Sequence, residues 1–274
     1  MAGRLKDKVA IVTGAGSVGT GWGNGKAVAV LFAREGAKVF AVDIRPEAAE
    51  ETRAIIAGEG GVAATHQTDV TKGDQVKAMV DACIAKFGRI DILHNNVGGS
   101  MPGGPVELSE DDWNRQIAYN LTSVFLTCKH TIPVMERQGG GAIVNVASLA
   151  ALRHTGHYHA AYDASKAGLI HFTRTLGVQY AAKGIRANTV IPGHVLTPLV
   201  EHRLAKQYRG GDFEGFIAQR AKNIPMERMG DAWDLAYAAL FLASDEARYV
   251  TATEILADGG VTGKLVSAPR AGEH

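Results

Sequence analysis

Val9-Ala10-Ile11-Val12-Thr13-Gly14-Ala15-Gly16-Ser17 runs through Val18-Gly19-Thr20-Gly21-Trp22 into Gly23-Asn24-Gly25-Lys26. A short apolar run ends in glycines. Residues 26–34 follow with Ala27, Val30 and Leu31 at helical spacing, and Gly36 marks the stop. Glycines let backbone amides approach a pyrophosphate, and the following helix N-terminus adds partial positive charge. Read alone, the same glycines also describe a surface loop. The strand before them and the helix after them favour a phosphate-binding turn.

The alternation repeats along the chain. Strands are expected at 9–13, 38–42, 62–66, 90–94, 142–146, 185–191 and 254–257. Helices are expected at 26–34, 46–57, 75–87, 112–135, 160–182 and 232–242. Pro46 suits a first helical turn. Strands alternating with helices imply an α/β fold: a doubly wound, Rossmann-type parallel β-sheet with helices on both faces. No linker, repeat or low-complexity tract interrupts it, so residues 1–274 are expected to form one dinucleotide-binding and catalytic domain. Residues 194–230 break the alternation. They are charged and helix-forming, and they follow the sixth strand, where a lid over the strand C-termini belongs.

Bulk properties exclude several classes. Hydrophobic residues are 46% and charged residues 21% of the 274, ordinary for a globular chain long enough to bury a sizeable core. The net charge of +1 implies no polyanion-binding surface, so no nucleic-acid partner is expected. No apolar run approaches the ~18 residues of a membrane span. Residues 1–8 lack the apolar core of a signal peptide, so a cytoplasmic protein is expected. Cys83 and Cys128 lie in apolar helical patterns and read as buried, reduced thiols.

The chemistry-bearing residues cluster late. Tyr162 and Lys166 stand at i and i+4 on one helix face. A phenol titrates near ~10, and an adjacent ammonium favours phenolate. The pair is thereby suited to exchanging a proton near neutral pH. Ser148 ends the fifth strand, where such a sheet presents its site, and its hydroxyl suits a substrate oxygen; it reads equally as a strand-end turn residue. Asn120 lies in an apolar helical stretch and reads either as part of the site or as a satisfied buried amide. Asp43 ends the second strand, 20 residues after Gly23, where an acid accepts hydrogen bonds from the adenosine ribose and repels a 2′-phosphate. NAD is therefore favoured over NADP, although Arg45 is placed to hold such a phosphate.

The order and spacing of these pieces resemble the classical short-chain dehydrogenase/reductase family over nearly the whole chain. The resemblance is carried by Thr13-Gly14 with Gly23-Asn24-Gly25, Asp69-Val70, Asn95-Asn96-Val97-Gly98, Asn120, Ser148, Tyr162 with Lys166, Pro192-Gly193 with Thr197, and Ala257-Asp258-Gly259-Gly260. It implies roles by position. Tyr162 would be the general acid/base. Lys166 would bind the nicotinamide ribose and lower the tyrosine pKa. Ser148 would hold the reacting oxygen, and Asn120 a water of the proton relay. Gly14, Ser17, Gly23, Asn24 and Gly25 would form the phosphate turn, with Asp43 and Ile44 at the adenosine. Asp69 and Val70 would flank the adenine, with Asn96 and Gly98 along the cofactor. Pro192, Gly193, Val195 and Thr197 would contact the nicotinamide end. The resemblance also implies a small-molecule alcohol or carbonyl substrate and a homo-oligomer, usually a tetramer.

Two departures stand out. The family turn usually reads Thr-Gly-x-x-x-Gly-x-Gly, so residues 18–22 are an insertion of five, with Trp22 either over the pyrophosphate or packed on the surface. Val97 replaces the usual alanine. Around the substrate, Arg153, His154, His157, Tyr158 and His159 precede Tyr162. Their irregular spacing and lack of a companion Cys or acid cluster argue against a metal site. Residues 194–230 carry Arg203, Lys206, Arg209, Arg220, Lys222 and Arg228 against Glu201, Asp212, Glu214 and Glu227. That slight basic excess reads as a solvated face or as a grip on an anionic substrate. A sugar or other polyhydroxylated or anionic secondary alcohol fits. The competing readings are a 3-ketoacyl-thioester reductase using NADPH, which Asp43 disfavours, and a non-catalytic dinucleotide sensor, which has no need of Asn120, Ser148, Tyr162 and Lys166 together.

Overall fold

A computed structural model describes residues 3–207 and 213–264. Seven parallel strands form one sheet in the order β3-β2-β1-β4-β5-β6-β7. They are β1 (Val9–Thr13), β2 (Lys38–Asp43), β3 (Val62–Gln67), β4 (Ile92–Asn95), β5 (Gly141–Val146), β6 (Ile185–Pro192) and β7 (Glu254–Ala257). The helices are α1 (Asn24–Arg34), α2 (Pro46–Gly58), α3 (Gly73–Phe87), α4 (Glu110–Ile117), α5 (Ser123–Gln138), α6 (Ala160–Gln179), α7 (Pro198–Gln207), α8 (Phe213–Lys222) and α9 (Ala232–Ala243).

The sheet is covered on both faces, which is why its strands read as apolar runs rather than alternating ones. Successive strand residues point to opposite faces. Ala10 and Val12 of β1 face a core with Val28, Phe32, Leu235 and Ala239 of α1 and α9. Val9 and Ile11 face the other core, built with Met79 and Cys83 of α3, Cys128 and Met135 of α5, and Leu169 of α6. Both cysteines are buried and unbridged, and burial pushes each thiol up to about 12.

The expected strands and helices are all present, with shifted ends. The fourth strand begins at Ile92; Asp91 just before it bonds through its backbone to Val9 and Ala142, while its carboxylate accepts from the Val9 N–H and Arg89. The expected helix 112–135 is not continuous. It starts earlier, at Glu110, with the Ser109 hydroxyl accepting the Asp112 N–H as an N-cap. One wide π turn, Ala118–Thr122, then separates α4 from α5. Such a turn inserts one residue without ending the helix and swings the following face. No periodicity argument detects it, because the apolar spacing on either side stays helical.

Strand order reverses direction at β1, whose neighbours are β2 and β4. A crevice opens there at the carboxyl ends of the strands. Among the described residues, no helix is long and apolar enough to cross a membrane.

Candidate active site

The crevice is a cavity of about 890 Å³. Its floor follows the strand ends: the glycine turn after β1, Asp43 at the end of β2, Asn96 after β4, Ser148 after β5 and Pro192 at the end of β6.

The glycine turn is shaped by close backbone approach. Gly14 has φ +63°, a left-handed conformation that glycine adopts without penalty. A Cβ on Gly25 would lie 1.9 Å from the Gly14 carbonyl oxygen and 2.6 Å from Asn96 Nδ2, so α1 begins in direct contact with the turn. Asn96 ties the turn to β4, its Nδ2 donating to the Gly14 carbonyl at 3.1 Å. Ser17 Oγ and Asn24 Oδ1 are buried without a hydrogen-bond partner among the described residues. Buried polar atoms are ordinarily satisfied, and these two flank the N-terminus of α1, where an anion is stabilised. The turn therefore fits a dinucleotide pyrophosphate.

At the adenosine side, Asp43 is 9% exposed. Its Oδ2 accepts the Gly16 N–H at 2.9 Å and its Oδ1 accepts the Arg45 N–H at 3.1 Å. Arg45 Nη2 donates to the Ser17 carbonyl at 2.8 Å, so the guanidinium braces the turn. Ile44, Thr68, Asp69 and Val70 complete this end. Asp69 also holds Thr71, accepting its N–H and hydroxyl at 2.9 and 2.7 Å.

Tyr162 and Lys166 project from α6 beside Ser148 at the other end. Lys166 is 3% exposed, and burial pushes its ammonium down to about 8. Its Nζ donates to the Val146 carbonyl at 2.8 Å and lies 6.0 Å from the Tyr162 ring centroid. Gly98 leaves room for it: a Cβ there would lie 2.9 Å from Lys166 Nζ and 3.0 Å from Asn120 Oδ1. A buried chain of side-chain hydrogen bonds fixes the floor. Thr127 donates to Asn95, Asn95 to Asn145 and Asn145 to Thr173, each at 2.8 Å, joining α5, β4, β5 and α6.

All the residues expected at the cofactor line this cavity, as do Ser148, Tyr162 and Lys166. Asn120 stands outside the lining. Its amide is fully buried on the π turn, accepts the Gly99 N–H and donates to the Gly99 and Gln116 carbonyls, each at 3.0 Å. These bonds satisfy its side chain within the protein and clamp the Gly99 backbone beside Lys166.

Trp22 packs on the surface of the sheet's helical layer. Its ring lies 4.7 Å from that of Trp233 in α9, with Lys26 Nζ 5.3 Å from its centroid. The rest of the insertion meets α7: Cβ atoms on Gly19 and Gly21 would lie 2.6 Å from His202 and 3.1 Å from Pro198. The span 194–230 forms α7 and α8. Arg220 lines the cavity, whereas Arg228 is spent on Asp234 at 2.9 and 3.1 Å. Arg209, Asp212 and the side chains of Arg203 and Lys206 lie outside the described residues. Sequence reasoning missed the wall made by Pro102, Gly103, Gly104 and Glu107; the glycine–proline cluster there signalled a turn but not its place.

The family model described as Enoyl-(Acyl carrier protein) reductase matches residues 19–262. The chain belongs to the classical short-chain dehydrogenase/reductase family. It is an oxidoreductase. D-threitol dehydrogenase of Mycolicibacterium smegmatis is 40% identical over 259 residues, covering 94% of each chain. A crystal structure from Burkholderia xenovorans, titled as a chain of this family, is 50% identical with a TM-score of 0.92, covering 97% of this chain and 100% of that one. The structure of 7α-hydroxysteroid dehydrogenase complexed with NADH and 7-oxo glycochenodeoxycholic acid is 35% identical with a TM-score of 0.83, covering 94% and 95%.

Proposed function

We propose that this oxidoreductase is an NAD-dependent dehydrogenase interconverting a secondary alcohol and its carbonyl. The observation that carries the reading is the meeting of Ser148, Tyr162 and Lys166 in the cavity onto which the glycine turn opens. The relatives support it: one is named for a polyol, and one solved neighbour holds NADH with an oxo-steroid acid. Asp43 supports NAD over NADP, because a carboxylate lining the adenosine end of the cavity repels a 2′-phosphate.

A bound nicotinamide supplies the hydride acceptor and donor. The protein supplies orientation and proton control. Ser148 Oγ holds the reacting oxygen against Tyr162. In oxidation the Tyr162 phenolate takes the hydroxyl proton; in reduction the phenol returns it. Below about pH 8, where it is an ammonium, Lys166 favours phenolate at Tyr162. Its anchor on the Val146 carbonyl keeps the ammonium in place when the tyrosine changes charge.

A screen of NAD reduction across polyols, sugars, cyclic alcohols and hydroxy acids tests the reading, with NADP in parallel. Turnover by NAD, lost by a factor of about 10³ in Tyr162→Phe, is the expected result. Equal turnover in Tyr162→Phe, or preference for NADP, overturns it.

A further inference from the structure

The cavity wall made by Pro102, Gly103, Gly104 and Glu107 is tied to the catalytic helix. Gly103 pairs with His159 in a short parallel bridge: the Gly103 N–H donates to the Tyr158 carbonyl at 2.8 Å, and the Ala160 N–H to the Gly103 carbonyl at 3.1 Å. Ala160 opens α6, the helix that carries Tyr162. The next residue of the loop, Gly104, donates its N–H to Glu107 Oε2 at 2.8 Å. Two hydrogen bonds and one peptide unit thus join the Glu107 carboxylate to the first residue of α6, and that oxygen lies no more than about 8 Å from the Ala160 nitrogen. Two glycines permit the approach. Gly103 has φ +140°, and a Cβ on it would lie 2.9 Å from Leu108 Cγ. A Cβ on Gly104 would lie 2.8 Å from the same Glu107 Oε2.

From this arrangement we infer that Glu107 determines specificity by receiving a second hydroxyl of the substrate, so that the alcohol is a diol or polyol. The inference rests on the alcohol dehydrogenase reading and names its substrate class.

The carboxylate has accepting capacity to spare. An ionised carboxylate offers about four lone-pair sites and no donor. Gly104 uses one of them on Oε2, and Oε1 has neither a hydrogen-bond nor an ion-pair partner among the described residues. Its place is also distinct. Asp43, Asp69 and Glu107 are the acids that line the cavity among the described residues. Asp43 and Asp69 stand at the adenosine end, bonded to Gly16, Arg45 and Thr71. Glu107 is the acid on the wall joined to α6. An apolar substituent laid against it would strip water from the carboxylate without replacing the lost bonds. A hydroxyl replaces them with a charge-assisted hydrogen bond. An ammonium would pair with Glu107 too, but Lys166 and Arg220 line the same cavity and repel a further cation. A neutral O–H donor is therefore the best match.

The test follows three alcohols built on one ring, with NAD and the full-length protein: cyclohexanol, cyclohexane-1,3-diol and 3-aminocyclohexan-1-ol. Binding of 1,3-dimethylcyclohexane-1,3-diol to the NADH complex is measured beside them by calorimetry; its tertiary carbinols have no hydride to give. Wild type is expected to favour the diol over cyclohexanol by about tenfold in kcat/KM, mainly through KM, and to favour it over the amino alcohol. Glu107→Gln still offers the Gly104 N–H an acceptor. It is expected to collapse the preference to within about twofold through the KM of the diol, and to weaken binding of the tertiary diol by about tenfold. Equal use of cyclohexanol and the diol by wild type, a parallel fall for both in Glu107→Gln, or preference for the amino alcohol overturns the inference and leaves the dehydrogenase reading standing. Glu107-dependent binding of the tertiary diol without turnover of any alcohol does the reverse. Neither binding nor turnover overturns both.

Discussion

Lys166 donates from Nζ to the Val146 carbonyl oxygen at 2.8 Å, which ties the middle of α6 to the end of β5. That bond fixes where a positive charge sits relative to the Tyr162 ring. It also explains how a lysine 3% exposed stays useful: the ammonium has a permanent acceptor, while burial still pushes it down to about 8.

The pH profile of alcohol oxidation follows from that pair. Activity needs phenolate at Tyr162 beside a charged Lys166, so it is expected to rise with pH while Lys166, pushed down to about 8, is still an ammonium. Without the ammonium, the phenol titrates nearer its ordinary ~10. Lys166→Met is therefore expected to move the rising limb of kcat/KM upward by a pH unit or more, besides lowering its maximum. Initial rates between pH 6 and 10.5 measure it. An unmoved limb in Lys166→Met means the charge does not act on the phenol.

Asp43 has two tasks, and they separate experimentally. Its carboxylate accepts the Gly16 and Arg45 N–H groups, so it shapes the turn as well as the adenosine end. Asp43→Asn removes the charge and keeps one of the two acceptors, so either the Gly16 or the Arg45 N–H also loses its partner. It is expected to narrow the preference for NAD over NADP by at least tenfold, since repulsion of a 2′-phosphate is lost, with a smaller fall in NAD binding from the lost acceptor. Asp43→Ala is expected to weaken both cofactors, because two N–H groups lose their acceptor. Ratios of kcat/KM for NAD and NADP decide the point.

Much of this arrangement was legible beforehand, and the boundary has a physical reason. Strands buried on both faces are apolar runs, and helices beginning at Pro46 or ending before Gly88 and Gly139 carry their own punctuation. The glycine turn, Asp43, Ser148, Tyr162 and Lys166 were readable because each sits at a fixed offset from a strand or helix end. Trp22 was not readable. Its partner Trp233 is far away in sequence, and nothing local marks a tertiary pairing. The pairing of Gly103 with His159 was hidden for the same reason, and so was the clamp of Asn120 on Gly99.

His94 makes the fold sensitive to acid. It is fully buried on β4, neither ring nitrogen has a partner among the described residues, and burial pushes it down to about 3. Between that value and the ordinary ~6.5, the unfolded chain binds a proton there that the folded chain refuses. Stability therefore falls as pH drops through this window, by roughly 2 kcal/mol from this residue between pH 6.5 and 5. His94→Leu removes the proton site and the unpaired nitrogens from a core that already holds Ile92 and Leu93. Urea denaturation of both proteins at pH 7 and 5 is expected to show a smaller loss in the variant. Equal losses mean that other groups carry the acid sensitivity.

The insertion at 18–22 links the phosphate turn to two helices, and its removal is expected to affect both stability and cofactor exchange. Trp22 is half-buried against Trp233. Losing that ring contact in Trp22→Ala is expected to cost about 2 kcal/mol, below the ~3–5 kcal/mol of a fully buried aromatic, and denaturant titration reads it directly. Gly19 and Gly21 touch His202 and Pro198 of α7, while Ser17 and Val18 on one side and Leu199 and Val200 on the other line the cavity. A dinucleotide held on the turn would therefore lie in a cavity that both sides line. Deleting residues 18–22 restores the usual family spacing from Gly14 to Gly25 and frees α7 from the turn. NADH is then expected to dissociate several-fold faster, measured by displacement in a stopped-flow fluorimeter, whereas Trp22→Ala alone lowers stability with little change in that rate. If deletion leaves dissociation unaltered, the insertion serves the packing of α9 and has no part in holding the cofactor.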